Sequence, residues 1–249
     1  MEKEFDDKII YGKNAVTEAL SSDRDINTVF VRKGTAPGKT IAEAKKRGII
    51  VKDVSDEKLA ALTGTSKHGG IAAELCAVEY AQLEDILNVS VQKGTPPFII
   101  VADEIADPHN LGAVIRTAEA AGADGVIIPK RRSASLNSTV FKTSAGAAAW
   151  IKVARVSNLV DTIKTLKKNN IWVYGMEADG TSYDKTDLTG GIAVVVGSEG
   201  FGLGRLVRES CDGVLSLPMN GRINSLNASV SAGILMYEVV RQRQMTARS

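Results

Sequence analysis

The chain is poor in the residues that many single-site chemistries need. Its 249 residues include two cysteines and two histidines. Cys76 and Cys211 lack the paired spacing of a metal knuckle or a redox motif, so they read as two buried free thiols. With only His68 and His109, a histidine-rich metal site is excluded, and a Ser-His-Asp hydrolase would have to be built on one of the two. No run of eighteen apolar residues occurs, and the opening Met-Glu-Lys-Glu-Phe-Asp-Asp-Lys is too charged for a signal peptide. These absences predict a cytoplasmic protein without a membrane span or a metal. Net charge is also small, at +2. It permits an RNA partner without demanding one, and any basic surface must come from local clustering.

What is present is a hydrophobic content of 44% in a chain long enough for one large α/β domain or two smaller ones. Up to about Ala77, short apolar runs (Ile9-Ile10-Tyr11, Val29-Phe30-Val31, Ile49-Ile50-Val51, Ile71 to Leu75) alternate with amphipathic helices. Gly48 is placed to stop one helix and Ser55 to cap the next. This small α/β unit has no glycine-rich phosphate loop. Lys33, Lys39, Lys45, Lys46, Arg47, Lys52 and Lys67 are its candidate phosphate contacts, though each taken singly reads equally well as a solvated lysine or arginine. Lys93-Gly94-Thr95-Pro96-Pro97 is a rigid polar break. The expected organisation is residues 1–77 as a substrate-binding domain, 78–97 as a linker with one helix over Leu83 to Val91, and 98–249 as a second domain.

After the break, near-continuous apolar strands alternate with helices: Phe98 to Ala102, Gly125 to Pro129, Val153 to Val156, Ile171 to Met176, Ile192 to Val196 and Val214 to Leu217. This predicts a parallel sheet covered on both faces. Such sheets bind ligands at the carboxyl ends of their strands, so the loops after Ala102, Ile128, Met176, Val196 and Leu217 are the informative ones.

Three of those loops carry unusual residues. Val196-Gly197-Ser198-Glu199-Gly200-Phe201-Gly202-Leu203-Gly204 lacks the G-x-G-x-x-G spacing of a dinucleotide loop and the Gly-Lys-Ser/Thr of a P-loop. Glu199 would repel a pyrophosphate, whereas a nucleoside carrying a sulfonium cation suits the loop. A plain tight turn reads equally well. In Asp107-Pro108-His109-Asn110-Leu111-Gly112, Asn110 is suited to cap a helix. Arg116 follows among Ala113, Val114, Ile115, Ala118 and Ala121, an apolar setting in which a guanidinium wants an anion such as Glu199 or a substrate phosphate. Asn224-Ser225-Leu226-Asn227-Ala228-Ser229 supplies more amides and hydroxyls than capping a final helix requires.

Together these blocks, in this order, resemble the three signature motifs of the SpoU-type (TrmH-like) RNA ribose 2'-O-methyltransferases. They are Asp-Pro-His-Asn-Leu-Gly-Ala-Val-Ile-Arg-Thr-Ala, Val-Val-Gly-Ser-Glu-Gly-Phe-Gly-Leu and Leu-Pro-Met-Asn-Gly-Arg-Ile-Asn-Ser-Leu-Asn-Ala-Ser-Val-Ser. The first domain, with Ile10-Tyr11-Gly12 and His68-Gly69-Gly70-Ile71, resembles the substrate-binding domain of the 23S rRNA guanosine branch. The resemblance implies an α/β fold: a small N-terminal RNA-binding domain and a C-terminal parallel-sheet domain with a trefoil knot, which general topology rules argue against. It also implies a homodimer, an RNA partner and S-adenosyl-L-methionine as cofactor. Arg116 is then the implied catalytic residue, with Asn110, Glu199, Ser225 and Asn227 around it. Gly197, Gly200, Leu217, Leu226 and Asn227 are implied to hold the methyl donor, and Asn220 and Arg222 lie in a more variable part of the third motif.

The reaction implied is transfer of a methyl group to a ribose 2'-oxygen, with a guanosine of 23S rRNA as the target and tRNA or an antibiotic-target nucleotide as alternatives. A guanidinium, with a pKa above about 12, makes a poor general base. Arg116 is therefore expected to hold an RNA phosphate and stabilise developing alkoxide, with the proton leaving to phosphate or water. A non-catalytic RNA-binding relative and a dinucleotide oxidoreductase are the competing readings. Lys130-Arg131-Arg132 and Lys142 are the expected RNA contacts beside the site.

Overall fold

In the computed structural model, which describes residues 9–22, 25–36 and 38–247, the first apolar runs form β1 (Ile9–Tyr11), β2 (Ile26–Arg32), β3 (Ile50–Val54) and β4 (Ile71–Leu75). Between them lie α1 (Lys13–Ser21), α2 (Lys39–Lys46) and α3 (Asp56–Thr63). The strands make one sheet in the order β1-β4-β2-β3. Val16, Leu20, Val29, Val31, Ile41, Ile71 and Leu75 form its core. Gly48 follows α2 with φ of 70°, and Ser55 caps α3 by accepting from the Lys58 N–H at 3.3 Å. Lys33, Lys39, Lys45, Lys46, Lys52 and Lys67 are exposed. Arg47 differs: its guanidinium donates to the carbonyls of Leu20 and Ser22, so it ties a helix end rather than standing ready for phosphate. His68 is buried, and its Nδ1 accepts from the Gly70 N–H at 3.2 Å, which makes it the lock of a turn.

Chain contacts group Met1–Glu79 with Ser135–Phe141 as one unit, and Tyr80–Ala134 with Lys142–Ser249 as the other. Two details depart from the expected boundaries. The stretch 78–97 is not a plain linker, because Ala81 bridges to Ala154 and α4 (Leu83–Lys93) is part of the second unit. Ile86 is fully buried, and a Cβ at Gly125 would sit 2.6 Å from it, so α4 is locked onto that sheet. In turn, Ser135–Phe141 leaves the second unit to bond the first, with the Ala77 N–H donating to the Leu136 carbonyl at 2.9 Å.

The second unit contains β5 (Phe98–Ala102), β6 (Gly125–Pro129), β7 (Lys152–Val156), β8 (Trp172–Ser182), β9 (Ile192–Val196) and β10 (Gly213–Ser216). Its helices are α5 (Pro108–Ala120), α6 (Ser138–Thr143, which begins in the segment given to the first unit), α7 (Leu159–Lys168), α8 (Arg205–Ser210) and α9 (Ala228–Thr246). All six strands are parallel, in the order β10-β8-β9-β5-β6-β7. Ile99, Val101, Ile127, Val173, Ala193 and Val195 face Ile86, Leu159, Ile163, Leu166, Leu203 and Val207. Alternation turns their neighbours to the opposite face, where α5 and α9 pack together. β8 runs six residues past Met176, through Ser182, beyond the apolar run: its far end pairs with β10 after a register shift, so the polar residues Thr181 and Ser182 still find a ladder.

The order reverses between β5 and β9. Strands β6 and β7 lie to one side of β5, while β9, β8 and β10 lie to the other. Loops leaving β5 and β9 therefore diverge over a crevice at the carboxyl edge.

Candidate active site

Asp107, not Asn110, caps α5: its side chain accepts from the His109 N–H at 2.9 Å, with Pro108 as the first helical residue. This corrects the capping expected of Asn110 and leaves that amide free for another purpose. Asn110 Nδ2 donates to Glu199 Oε1 at 3.2 Å, and Asn110 Oδ1 accepts from Asn227 Nδ2 at 3.0 Å. Asn227 Nδ2 also donates to Glu199 Oε1. Asn227 does two jobs, since its Oδ1 caps α9 by accepting from the Ser229 and Val230 N–H groups at 2.9 and 3.3 Å. The first, second and third polar loops thus meet in one triangle over the β5/β9 crevice.

Glu199 makes no ion pair among the described residues, and two neutral amides hold it. Its negative charge stays available to a cation. It sits at the mouth of a cavity of about 860 Å³, which Gly197, Gly200, Leu217, Ser225, Leu226 and Asn227 also line. That volume is in the range of small-molecule sites. The cavity's walls are Met176 to Asp179 within β8, the loop after Val196 and the stretch after Leu217. The loops after Ala102 and Ile128 do not line it.

The glycine loop has to be glycine. A Cβ on Gly197 would lie 2.3 Å from the Gly202 carbonyl carbon, because Ser198 and Gly202 exchange backbone hydrogen bonds of 3.0 and 3.1 Å. Gly200 and Gly202 have φ of 84° and 64°, the left-handed region that side chains resist. Two carboxylates, one within β8 and one just after β5, the strands on either side of β9, hold the exit of the loop. Glu177 Oε1 accepts from the Leu203 N–H at 2.9 Å, and Asp103 Oδ2 accepts from the Gly204 N–H at 2.7 Å. Arg208 on α8 pairs with Glu177 and, at 2.8 Å, with Asp179. Asp103 is buried, and desolvation raises its pKa against the lowering by the Gly204 N–H. Arg208 holds the Asp179 carboxyl below its ordinary value.

Asp103, Glu177 and Arg208 were not foreseen as site residues. Glu177 had a signal, since it follows Met176 at a strand end already marked as informative. Arg208 in its short helix had none.

Arg116 departs from expectation. The buried stripe of α5 is Leu111, Gly112, Val114, Ile115 and Ala118, and Arg116 falls outside it, exposed, with no ion pair among the described residues. In helical projection Arg116 lies about 120° around and about 9 Å along from Asn110, so the helix does not aim both at Glu199. The two cysteines are half-buried rather than buried; burial pushes the Cys211 thiol up to about 11. In the basic stretch Arg131 is exposed, whereas Arg132 pairs with Glu104 at 3.0 Å. Among the described residues, no cluster of metal-ligating side chains occurs and no helix is long and apolar enough to cross a membrane.

The chain is similar to known proteins in both of its domains. Residues 97–237 match the SpoU rRNA Methylase family, and residues 9–81 match the RNA 2'-O ribose methyltransferase substrate-binding family. A Bacillus subtilis (strain 168) protein named for the TrmH family of tRNA/rRNA methyltransferases is 46% identical over 239 residues, covering 94% of this chain and 95% of that protein. A similarly named Staphylococcus aureus (strain MSSA476) protein is 43% identical over 243 residues, covering 96% and 98%. Among solved structures, the SpoU methyltransferase AviRb of Streptomyces viridochromogenes, in complex with AdoMet, superposes with a TM-score of 0.63 at 22% identity, covering 96% of this chain and 91% of that one. With its motif residues joined at one crevice and both of its domains matched, the chain belongs to the SpoU (TrmH-like) family of RNA methyltransferases.

Proposed function

We propose that the protein transfers the methyl group of S-adenosyl-L-methionine to a ribose 2'-hydroxyl of RNA, with a guanosine of 23S rRNA as the target. The observation that carries this reading is the Asn110–Glu199–Asn227 triangle at the mouth of the cavity. The donor set fits the cofactor: a carboxylate with no ion pair among the described residues suits a sulfonium or an ammonium, and glycine backbone leaves room for a flat adenine. Gly197, Gly200, Leu217, Leu226 and Asn227 would hold it. When bound, it supplies an already activated methyl group, so the chain's part is alignment and charge.

In this mechanism Glu199, fixed by two amides, orients the donor. Arg116, exposed and with no ion pair among the described residues, holds an RNA phosphate and stabilises the oxygen as it loses its proton to phosphate or water. Ser225, exposed at the cavity, contacts the incoming nucleotide. Lys33, Lys39, Lys45, Lys46, Lys52 and Lys67 on residues 1–77, with Lys130, Arg131 and Lys142, supply the phosphate contacts.

We further propose a homodimer. α9 exposes Val230, Ile234, Tyr237 and Met245 along one stripe, although its opposite side is buried. Exposed apolar surface of this kind is what a second copy would cover. The trefoil knot implied by family membership is part of the proposal. Its support is that β10 lies at the sheet edge beyond β8, while α9, which follows it, packs back on β9 and α5.

The names of the relatives include tRNA as well as rRNA, which favours tRNA as the second reading. Ribose-methylation mapping of total RNA from cells with and without the protein tests both. Loss of one 23S guanosine signal supports the first reading, loss of a tRNA signal the second, and no change in either contradicts the proposed activity.

A further inference from the structure

Phe201 stands at the tip of the glycine loop with 93% of its surface exposed, the most exposed large hydrophobic side chain among the described residues. The exposure does not come from a slack loop. Gly200 and Gly202 on either side adopt positive φ, and the backbone pair between Ser198 and Gly202 closes the turn. The Glu177 carboxylate lies directly beneath, since a Cβ at Gly202 would come within 2.7 Å of its Oε1. The next N–H, of Leu203, is bonded to that same oxygen at 2.9 Å. An aromatic ring is thus carried outward on a braced turn, two residues after Glu199, at the rim of the same cavity. Core packing gains nothing from it, because almost none of its surface is covered.

We infer that Phe201 is a stacking platform for a base of the RNA substrate, the target base or its immediate neighbour. This rests on the proposed function and deepens it. A ribose 2'-oxygen can reach a cavity at the carboxyl edge of the sheet only if its nucleotide leaves the helical stack, and the base face so uncovered needs a partner. A planar ring at the rim provides one and tolerates any base, because every base has a π-face. Phe201 then governs RNA affinity, while the methyl donor is held by the backbone and carboxylates behind it.

The test compares F201A, F201L and F201W in methyl transfer from labelled S-adenosyl-L-methionine to total RNA of cells lacking the protein. S-adenosylhomocysteine binding by calorimetry and molar mass by light scattering are measured in parallel. Phe201→Ala is expected to raise the RNA KM roughly 5- to 100-fold, the range for loss of one base–aromatic stack, with S-adenosylhomocysteine affinity and molar mass unchanged. Phe201→Trp should restore the RNA KM, and Phe201→Leu should not. An unchanged RNA KM in Phe201→Ala overturns the inference, as does full restoration by leucine. A fall in molar mass accompanying the defect would assign Phe201 to a contact between copies instead. Wild-type protein that transfers no methyl group to RNA would overturn the proposed function itself, whereas wild-type transfer with an unaffected Phe201→Ala overturns only the stacking role.

Discussion

Asn227 Nδ2 donates to Asn110 Oδ1 at 3.0 Å across 117 positions of sequence, and both amides converge on one oxygen of Glu199. The amide of Asn227 points into the site only because its other end is committed to capping α9. Asn227→Asp separates the two roles: the cap is kept, while a second carboxylate is set against Glu199. Methyl transfer should fall at least about a hundredfold with a melting temperature close to wild type. Asn227→Ala should also lose about 1 kcal/mol of stability through the missing cap, read as a lower urea midpoint.

The Glu177–Arg208 pair braces the glycine loop from below. Glu177→Ala removes both the acceptor for the Leu203 N–H and the partner of Arg208. It should weaken S-adenosylhomocysteine binding by roughly tenfold, on the scale of one charged hydrogen bond. Glu177→Gln, which keeps a carbonyl oxygen in place, should recover much of that affinity. Equal losses in the two variants would show that charge, not loop support, is what matters. Calorimetric titration of both variants gives the answer.

Asp103 makes stability depend on pH in a defined direction. Its pKa is raised above the ordinary 3.8 by burial, so its folded form favours the proton more than the unfolded chain does. That contribution is fully present below about pH 3.8 and is lost as pH rises through the raised value. Asp103→Asn removes it. Urea midpoints of the two proteins should therefore diverge in favour of the variant as pH climbs from about 4, then run parallel. Divergence in the opposite sense contradicts a carboxyl raised by burial.

Cys211, pushed up to about 11, should be nearly inert. At pH 8 only about a thousandth of it is thiolate. Iodoacetamide labelling followed by mass spectrometry should leave Cys211 unmodified in the folded protein and modify it after unfolding. Rapid labelling of the folded protein would show the thiol to be more exposed than described.

Much of this arrangement was legible from residue order alone. The runs Phe98–Ala102, Gly125–Pro129 and Ile192–Val196 have no polar face and could only be strands buried on both sides. What residue order does not reveal depends on competition between neighbours. Asp107 and Asn110 are both good caps, and Pro108 decides for Asp107 by starting the helix immediately after it. The helix over Leu83 to Val91 is legible, but its membership of the second unit is not, because Gly94, Pro96 and Pro97 mark a break after it that resembles a linker. β8 outlasts its apolar part because β10 supplies a ladder, a long-range pairing that local pattern does not reveal. The apolar neighbours of Arg116 suggested burial, yet one position in a helix can face water while the residues on either side of it are covered.

The central claim is that the crevice joining Asn110, Glu199 and Asn227 delivers a methyl group to a ribose 2'-oxygen of RNA. Its most direct test is incubation of the protein with methyl-labelled S-adenosyl-L-methionine and RNA from cells lacking it, followed by alkaline hydrolysis. The account predicts label in an alkali-resistant dinucleotide, the mark of a 2'-O-methyl group, and its absence with Asn227→Asp. Label on a base, or no label in any RNA, would contradict it.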